Sequence, residues 1–145
     1  MKIFSNKDLC RLVYRSESRI AHSDVAGLDA IFRVSIANNR RDGITGCLAL
    51  PDGKFVQVIE GEQTRVGELL GRIRADTRHE NLTVLGEWAI RNRLFTGWAM
   101  ARPDPAPLQE QAFRIVTETG SGAQVTAILS ALMDQTEKLL GVGNW

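Results

Sequence analysis

The chain has 145 residues, 43% of them hydrophobic, which is one domain's worth of sequence with ample apolar side chain for a core. Its 18 Lys and Arg against 17 Asp and Glu leave a formal charge of +1, so no global field favours nucleic acid or an acidic membrane. No window approaches the roughly 20 apolar residues of a membrane span, and the start MKIFSNKDLCRLVY lacks the apolar run of a signal peptide, so the expected location is cytoplasmic.

Leu9 to Ser16 has the β-branched and aromatic character of a strand with Leu12 and Tyr14 on one face. Ser23 or Asp24 can cap a helix running to about Asn38, with Val25, Leu28, Ile31, Phe32 and Ile36 at helical spacing. Gly43 to Leu50, the turn residues Pro51-Asp52-Gly53, and Lys54 to Ile59 read as a hairpin, whose second strand sets Phe55, Gln57 and Ile59 on one face. A second helix is predicted from Thr64 to Asp76, with Val66, Leu69, Leu70 and Ile73 buried and Arg65, Arg72 and Arg74 solvated. Strands follow at Leu82 to Ile90 and Phe95 to Met100, and the last puts Trp98 and Met100 on one face.

The order βαββαββ predicts an α+β, ferredoxin-like sandwich: a five-stranded mixed sheet with both crossover helices on one face. Pro103, Pro105 and Pro107 then break the pattern. Two amphipathic helices are predicted at Leu108 to Thr119 and Ala123 to Leu140, and the stripe Val125, Ile128, Leu129, Leu132 and Met133 is expected to cover the other sheet face. The expected division is a domain over 1–102 and a helical extension over 103–145. Cys10 and Cys47 lie in predicted strands without the paired spacing of a zinc or redox site, which reads as structural burial, and no metal site is expected.

The residues that carry chemistry are polar side chains inside apolar segments: Tyr14, Asn38, Asn39, Gln57 and Trp98. An unpaired buried amide or hydroxyl costs about 1 to 3 kcal/mol, so something must satisfy them. A flat ligand with alternating donors and acceptors would do so. Without such a ligand, Tyr14 and Gln57 read as a buried hydrogen bond, Trp98 as a core aromatic, and Asp76, Arg78 and His79 as a solvated helix end.

Taken together, Leu12-Val13-Tyr14-Arg15-Ser16, Asn38-Asn39 followed by Gly43-Ile44-Thr45-Gly46, Phe55-Val56-Gln57-Val58-Ile59-Glu60-Gly61, Asp76-Thr77-Arg78-His79 and Phe95-Thr96-Gly97-Trp98-Ala99-Met100 resemble the BLUF family of flavin-binding blue-light sensors. Five short strings in register over residues 8 to 101 are far more specific than any one alone. The resemblance implies a flavin, FAD first and FMN or riboflavin as alternatives, held between the two sandwich helices by Tyr14, Ile31, Ser35, Asn38, Asn39, Gln57, Asp76, Arg78 and His79. It further implies that Asn39 holds the N3/C4=O edge, that Asn38 lies toward C2=O, and that Gln57 bridges N5/C4=O to the Tyr14 hydroxyl. Tyr14 would give an electron and a proton to the excited flavin, Gln57 would rearrange, and the Trp98 to Met100 strand would relay the change to the C-terminal helices. No net chemistry is implied, so the chain is not expected to be an enzyme. The implied partners are a second copy or higher oligomer and a separate effector protein.

Two other classes compete. A light-inactive ferredoxin-like interaction module would keep the fold without Tyr14 and Gln57, yet both are present. An acylphosphatase-like hydrolase would need Arg15 and Asn39 together at a phosphate cradle, and Arg15 to Arg19 lacks the glycine-rich loop such an oxyanion site requires.

Overall fold

The structure is a computed structural model that describes residues 8–21, 23–51, 53–96 and 110–140. Its elements are β1 (Leu9–Ser18), α1 (Val25–Asp42), β2 (Thr45–Ala49), β3 (Lys54–Glu62), α2 (Gln63–Ala75), β4 (His79–Ala89), α3 (Glu110–Thr119) and α4 (Gly122–Leu140). The sheet order is β2-β3-β1-β4, the ferredoxin-like arrangement of a βαββαβ core.

All three strand pairs are antiparallel, so the described sheet is four-stranded and antiparallel rather than five-stranded and mixed. A split βαβ order places each strand beside neighbours of opposite direction, so a parallel pair could come only from a further strand at one of the two sheet edges. The candidate for it, Phe95 to Met100, begins with Phe95 and Thr96 in a bend and a turn, and residues 97–100, including Trp98 and Met100, lie outside the described residues.

Capping residues set the limits of α1. The Asp24 carboxylate accepts from the backbone N–H of Gly27, satisfying one of the orphan donors of the first turn. At the other end Gly43 takes a left-handed φ of 69°, a conformation glycine adopts without a Cβ penalty. The helix therefore runs past Asn38 to Asp42, one turn beyond the sequence expectation, and both asparagines lie within it.

The sheet separates two cores. Cys10, Leu12, Tyr14, Leu48, Phe55 and Ile59 face α1 and α2, packing against Leu28, Ile31, Phe32, Ile36, Val66, Leu69, Leu70 and Ile73. On the opposite face Val13, Cys47, Ala49, Val56 and Val58 pack against Phe113, Val116, Val125, Ile128, Leu129, Leu132 and Met133 of α3 and α4, and against Phe95. The C-terminal stripe thus covers the second sheet face, as the helical spacing predicts, and burying it is what holds these helices to the sheet. Both cysteines are free and buried. Burial, with the charge of Glu87 adding to it, raises the Cys10 thiol to about 11, and burial alone raises Cys47 further, so both are inert core side chains. No helix among the described residues is long and apolar enough to cross a membrane.

On the outer face, Trp88 and Glu60 both lie directly opposite Arg11. The fully buried Glu60 carboxylate accepts from Arg11 Nε at 2.8 Å and from the backbone N–H groups of Leu94 at 3.1 Å and Phe95 at 3.0 Å. The Arg11 guanidinium also sits 5.7 Å from the centroid of the Trp88 ring, within cation–π range. This ion pair anchors the segment after β4 to the centre of the sheet.

Candidate functional site

Between α1 and α2, over the inner sheet face, lies a cleft of about 200 Å³. Tyr14, Ile31, Ser35, Asn38, Asn39, Gln57, Asp76, Arg78 and His79 all line it, so the nine side chains singled out from the sequence meet at one place. Helical spacing brings Ile31, Ser35, Asn38 and Asn39 onto the cleft side of α1, while strand alternation points Tyr14 and Gln57 at its base. Leu48, Phe55, Leu69 and Ile73 complete the apolar walls. Val34, 55% exposed, stands at the α1 rim.

Tyr14 and Gln57 are directly opposite one another in the β1–β3 ladder. The Tyr14 hydroxyl donates to Gln57 Oε1 at 2.6 Å, and the two residues are 4% and 5% exposed. Burial, reinforced by the negative charge of Asp76, pushes the phenol well above the ordinary tyrosine range. Tyr14 is therefore a neutral donor at any physiological pH. With its carbonyl engaged by Tyr14, the Gln57 amide presents N–H donors on its other arm.

His79 is the first residue of β4 rather than part of a solvated helix end. Its Nε2 donates to the Ile73 carbonyl at the end of α2, and Nδ1 is hydrogen-bonded to the Ser16 hydroxyl at 2.7 Å. Its ring is edge-on to Phe55, with centroids 5.9 Å apart, and tilted to Tyr14 at 6.4 Å. Both His79 nitrogens are used within the protein, so it acts as a wall of the cleft. At the mouth, Arg78 forks onto the Asp76 carboxylate, and this hydrogen bond holds Asp76 below the usual carboxylate range.

Arg72, expected from the sequence to be solvated, also lines the cleft and reaches Asp42 of α1 at 3.3 Å. It ties together the two helices that form the walls. Helical periodicity gives no sign of this, because the partner lies 30 residues away. Arg15 and Asn39 lie on opposite sides of the sheet: Arg15 bonds carbonyls of α3, whereas Asn39 faces the cleft. No phosphate cradle joins them, and the hydrolase alternative has no site.

The chemistry of this lining fits a flavin. Amide side chains on α1 and β3 can both donate and accept along the heteroaromatic edge of a flat ring, and the aliphatic and aromatic walls suit its faces.

Residues 9–101 match BLUF, described as sensors of blue-light using FAD. Photoactivated adenylate cyclase subunit beta of Euglena gracilis is 34% identical over 94 residues, which is 64% of this chain and 11% of that protein. The chain thus spans about a tenth of the length of that curated relative. Among solved structures, the dark state of the BLUF protein BlrB superposes with a TM-score of 0.78 at 32% identity, covering 91% of this chain and 99% of that one. The photo-activated state of BlsA superposes with a TM-score of 0.74 at 26% identity, covering 86% of this chain and 94% of its own.

Proposed function

The chain belongs to the BLUF family of blue-light sensors using FAD, and from that premise we propose that the cleft between α1 and α2 is the flavin site, with Tyr14 and Gln57 as its photoactive pair. The observation that carries this reading is the buried 2.6 Å hydrogen bond from Tyr14 to Gln57 at the base of an amide-lined cleft. Asn38, Asn39 and Gln57 hold the polar edge of the ring, Ile31 packs on it, and Ser35 lies one turn before Asn39. Asp76 and Arg78 stand at the mouth, where a ribityl chain and phosphate emerge, and His79 closes the wall beside Tyr14.

When bound, a flavin supplies a blue-light-absorbing ring whose excited state is an electron and proton acceptor. With a flavin bound, Tyr14 would be the donor of an electron and a proton, and Gln57, the adjacent hydrogen-bond partner, would carry the proton and rearrange by rotation, tautomerisation or both, a change of hydrogen bonding that would account for a red-shifted absorption. A neutral, buried phenol suits this role, because its proton is present before the flash and no water competes for it.

The output on this reading is a change of packing rather than a catalysed reaction, and a cytoplasmic location is part of the same proposal. Residues 1–102 form the sensor and 103–145 its helical extension. Trp98 and Met100 carry the change toward α3 and α4, and the recipient is a separate effector protein or a second copy of the chain.

The test is Tyr14→Phe, which removes the phenolic donor and keeps the ring. The variant is expected to bind flavin and lose the light-induced red shift. A Phe variant that shifts with wild-type amplitude overturns the assignment of Tyr14.

A further inference from the structure

Arg15 follows Tyr14 in β1 and, by strand alternation, its side chain leaves the opposite face of the sheet. It lies directly opposite Val56, the neighbour of Gln57. Its guanidinium donates to three main-chain carbonyls at the end of α3: Thr117 at 2.6 Å, Gly120 at 3.1 Å and Val116 at 3.5 Å. A cation at a helix C-terminus satisfies orphan carbonyls and opposes the helix dipole, so this is a strong, directional tie.

The same turn is held from β4. Gly122 opens α4 against the sheet so closely that a Cβ there would lie 3.1 Å from the carbonyl oxygen of Leu85. Leu85 is the residue left over where Val13 pairs with Gly86 and Tyr14 with Val84. The register slips again between Arg15 and Glu17, near Asn81 with its positive φ of 53°. Bulges disrupt the ladder locally and let a strand bend. The irregular stretch of the β1–β4 pair therefore contains Tyr14 and Arg15 and touches the α3–α4 turn.

We propose that Arg15, backed by the Gly122–Leu85 contact, is a positioning residue that couples the hydrogen-bond state of Tyr14 directly to the α3–α4 turn, by a route independent of residues 97–100. The proposal rests on Tyr14 and Gln57 being the photoactive pair. Rearrangement of their hydrogen bond shifts the β1 backbone at Tyr14, Arg15 moves with the adjoining peptide, and the end of α3 follows the guanidinium it is bonded to.

The experiment is amide hydrogen exchange on the flavin-loaded protein, in the dark and under continuous blue light, with the visible red shift recorded on the same samples. Wild type is expected to show a light-minus-dark difference over residues 110–134 as well as in β3. Arg15→Met, which keeps the aliphatic stem, is expected to retain the full red shift and the β3 difference while losing the difference at 110–134, and Arg15→Lys to recover part of it. Gly122→Ala alters the same junction without removing the charge and is expected to reduce the difference at 110–134 with the red shift intact. A merely structural tie would raise exchange of α3 and α4 equally in dark and light and leave their difference standing, which overturns the proposal. A red shift lost together with the difference places Arg15 at the photoactive site instead and also overturns it. A wild type that shifts without any exchange change at 110–134 refutes the coupling alone, whereas a wild type with no red shift removes the sensor reading and this proposal with it.

Discussion

Replacing Gln57 with leucine is expected to leave flavin bound and to abolish the light-induced red shift. Leucine nearly conserves the volume at this 5% exposed position, so the apolar walls of the cleft and the amides of Asn38 and Asn39 still bind the ring. It has no group that can accept from Tyr14 or donate to a ring acceptor, and no second arrangement to switch into. The Tyr14 hydroxyl, which reaches Gln57 Oε1 at 2.6 Å, loses its partner, and the expected loss of folding stability is about 1 to 3 kcal/mol. Visible absorption before and after a blue flash checks the first expectation and urea unfolding the second. A Leu variant that still shifts would remove Gln57 from the centre of the account.

The largest stability effect is expected at Glu60. Its carboxylate is fully buried and joins Arg11 to the backbone of Leu94 and Phe95. Glu60→Ala strands an Arg11 guanidinium that is only 10% exposed, together with two backbone donors that bonded it. Removing one partner of a buried ion pair costs about 3 to 5 kcal/mol. Glu60→Gln keeps an acceptor and is expected to lose less, and unfolding by urea with an unchanged slope separates the two. A loss below about 1 kcal/mol for the alanine variant, the scale of an exposed pair, would mean that water reaches Arg11 and that the anchor is not structural.

Much of this fold is legible in the sequence because apolar periodicity is a local signal. The spacing of Val66, Leu69 and Ile73, the Asp24 cap and the hairpin turn at Gly53 each specify their element within a few residues. The pairing of C-terminal stripe and bare sheet face follows from the need to bury both. What the periodicity does not carry is long-range pairing of charge. Arg72 reads as a solvated residue yet pairs with Asp42, 30 residues away, and the hydrogen-bond partners of Arg11 and Arg15 are at least 49 residues distant. Strand direction is also beyond a reading by spacing: the four described strands are antiparallel, and the expected fifth, Phe95 to Met100, falls mostly outside the described residues. Tyr14, Asn39 and Gln57 stand out in the sequence for a physical reason: a polar side chain in an apolar row demands a partner, and the cleft brings all three together.

The measurement that bears most directly on this account is the visible absorption of the purified protein before and after a blue flash, followed until it recovers in the dark. The account predicts an oxidised flavin spectrum that moves slightly to the red and returns fully. A flavin spectrum unchanged by the flash would contradict the role of Tyr14 and Gln57, and a colourless protein that takes up no added flavin would contradict the site itself.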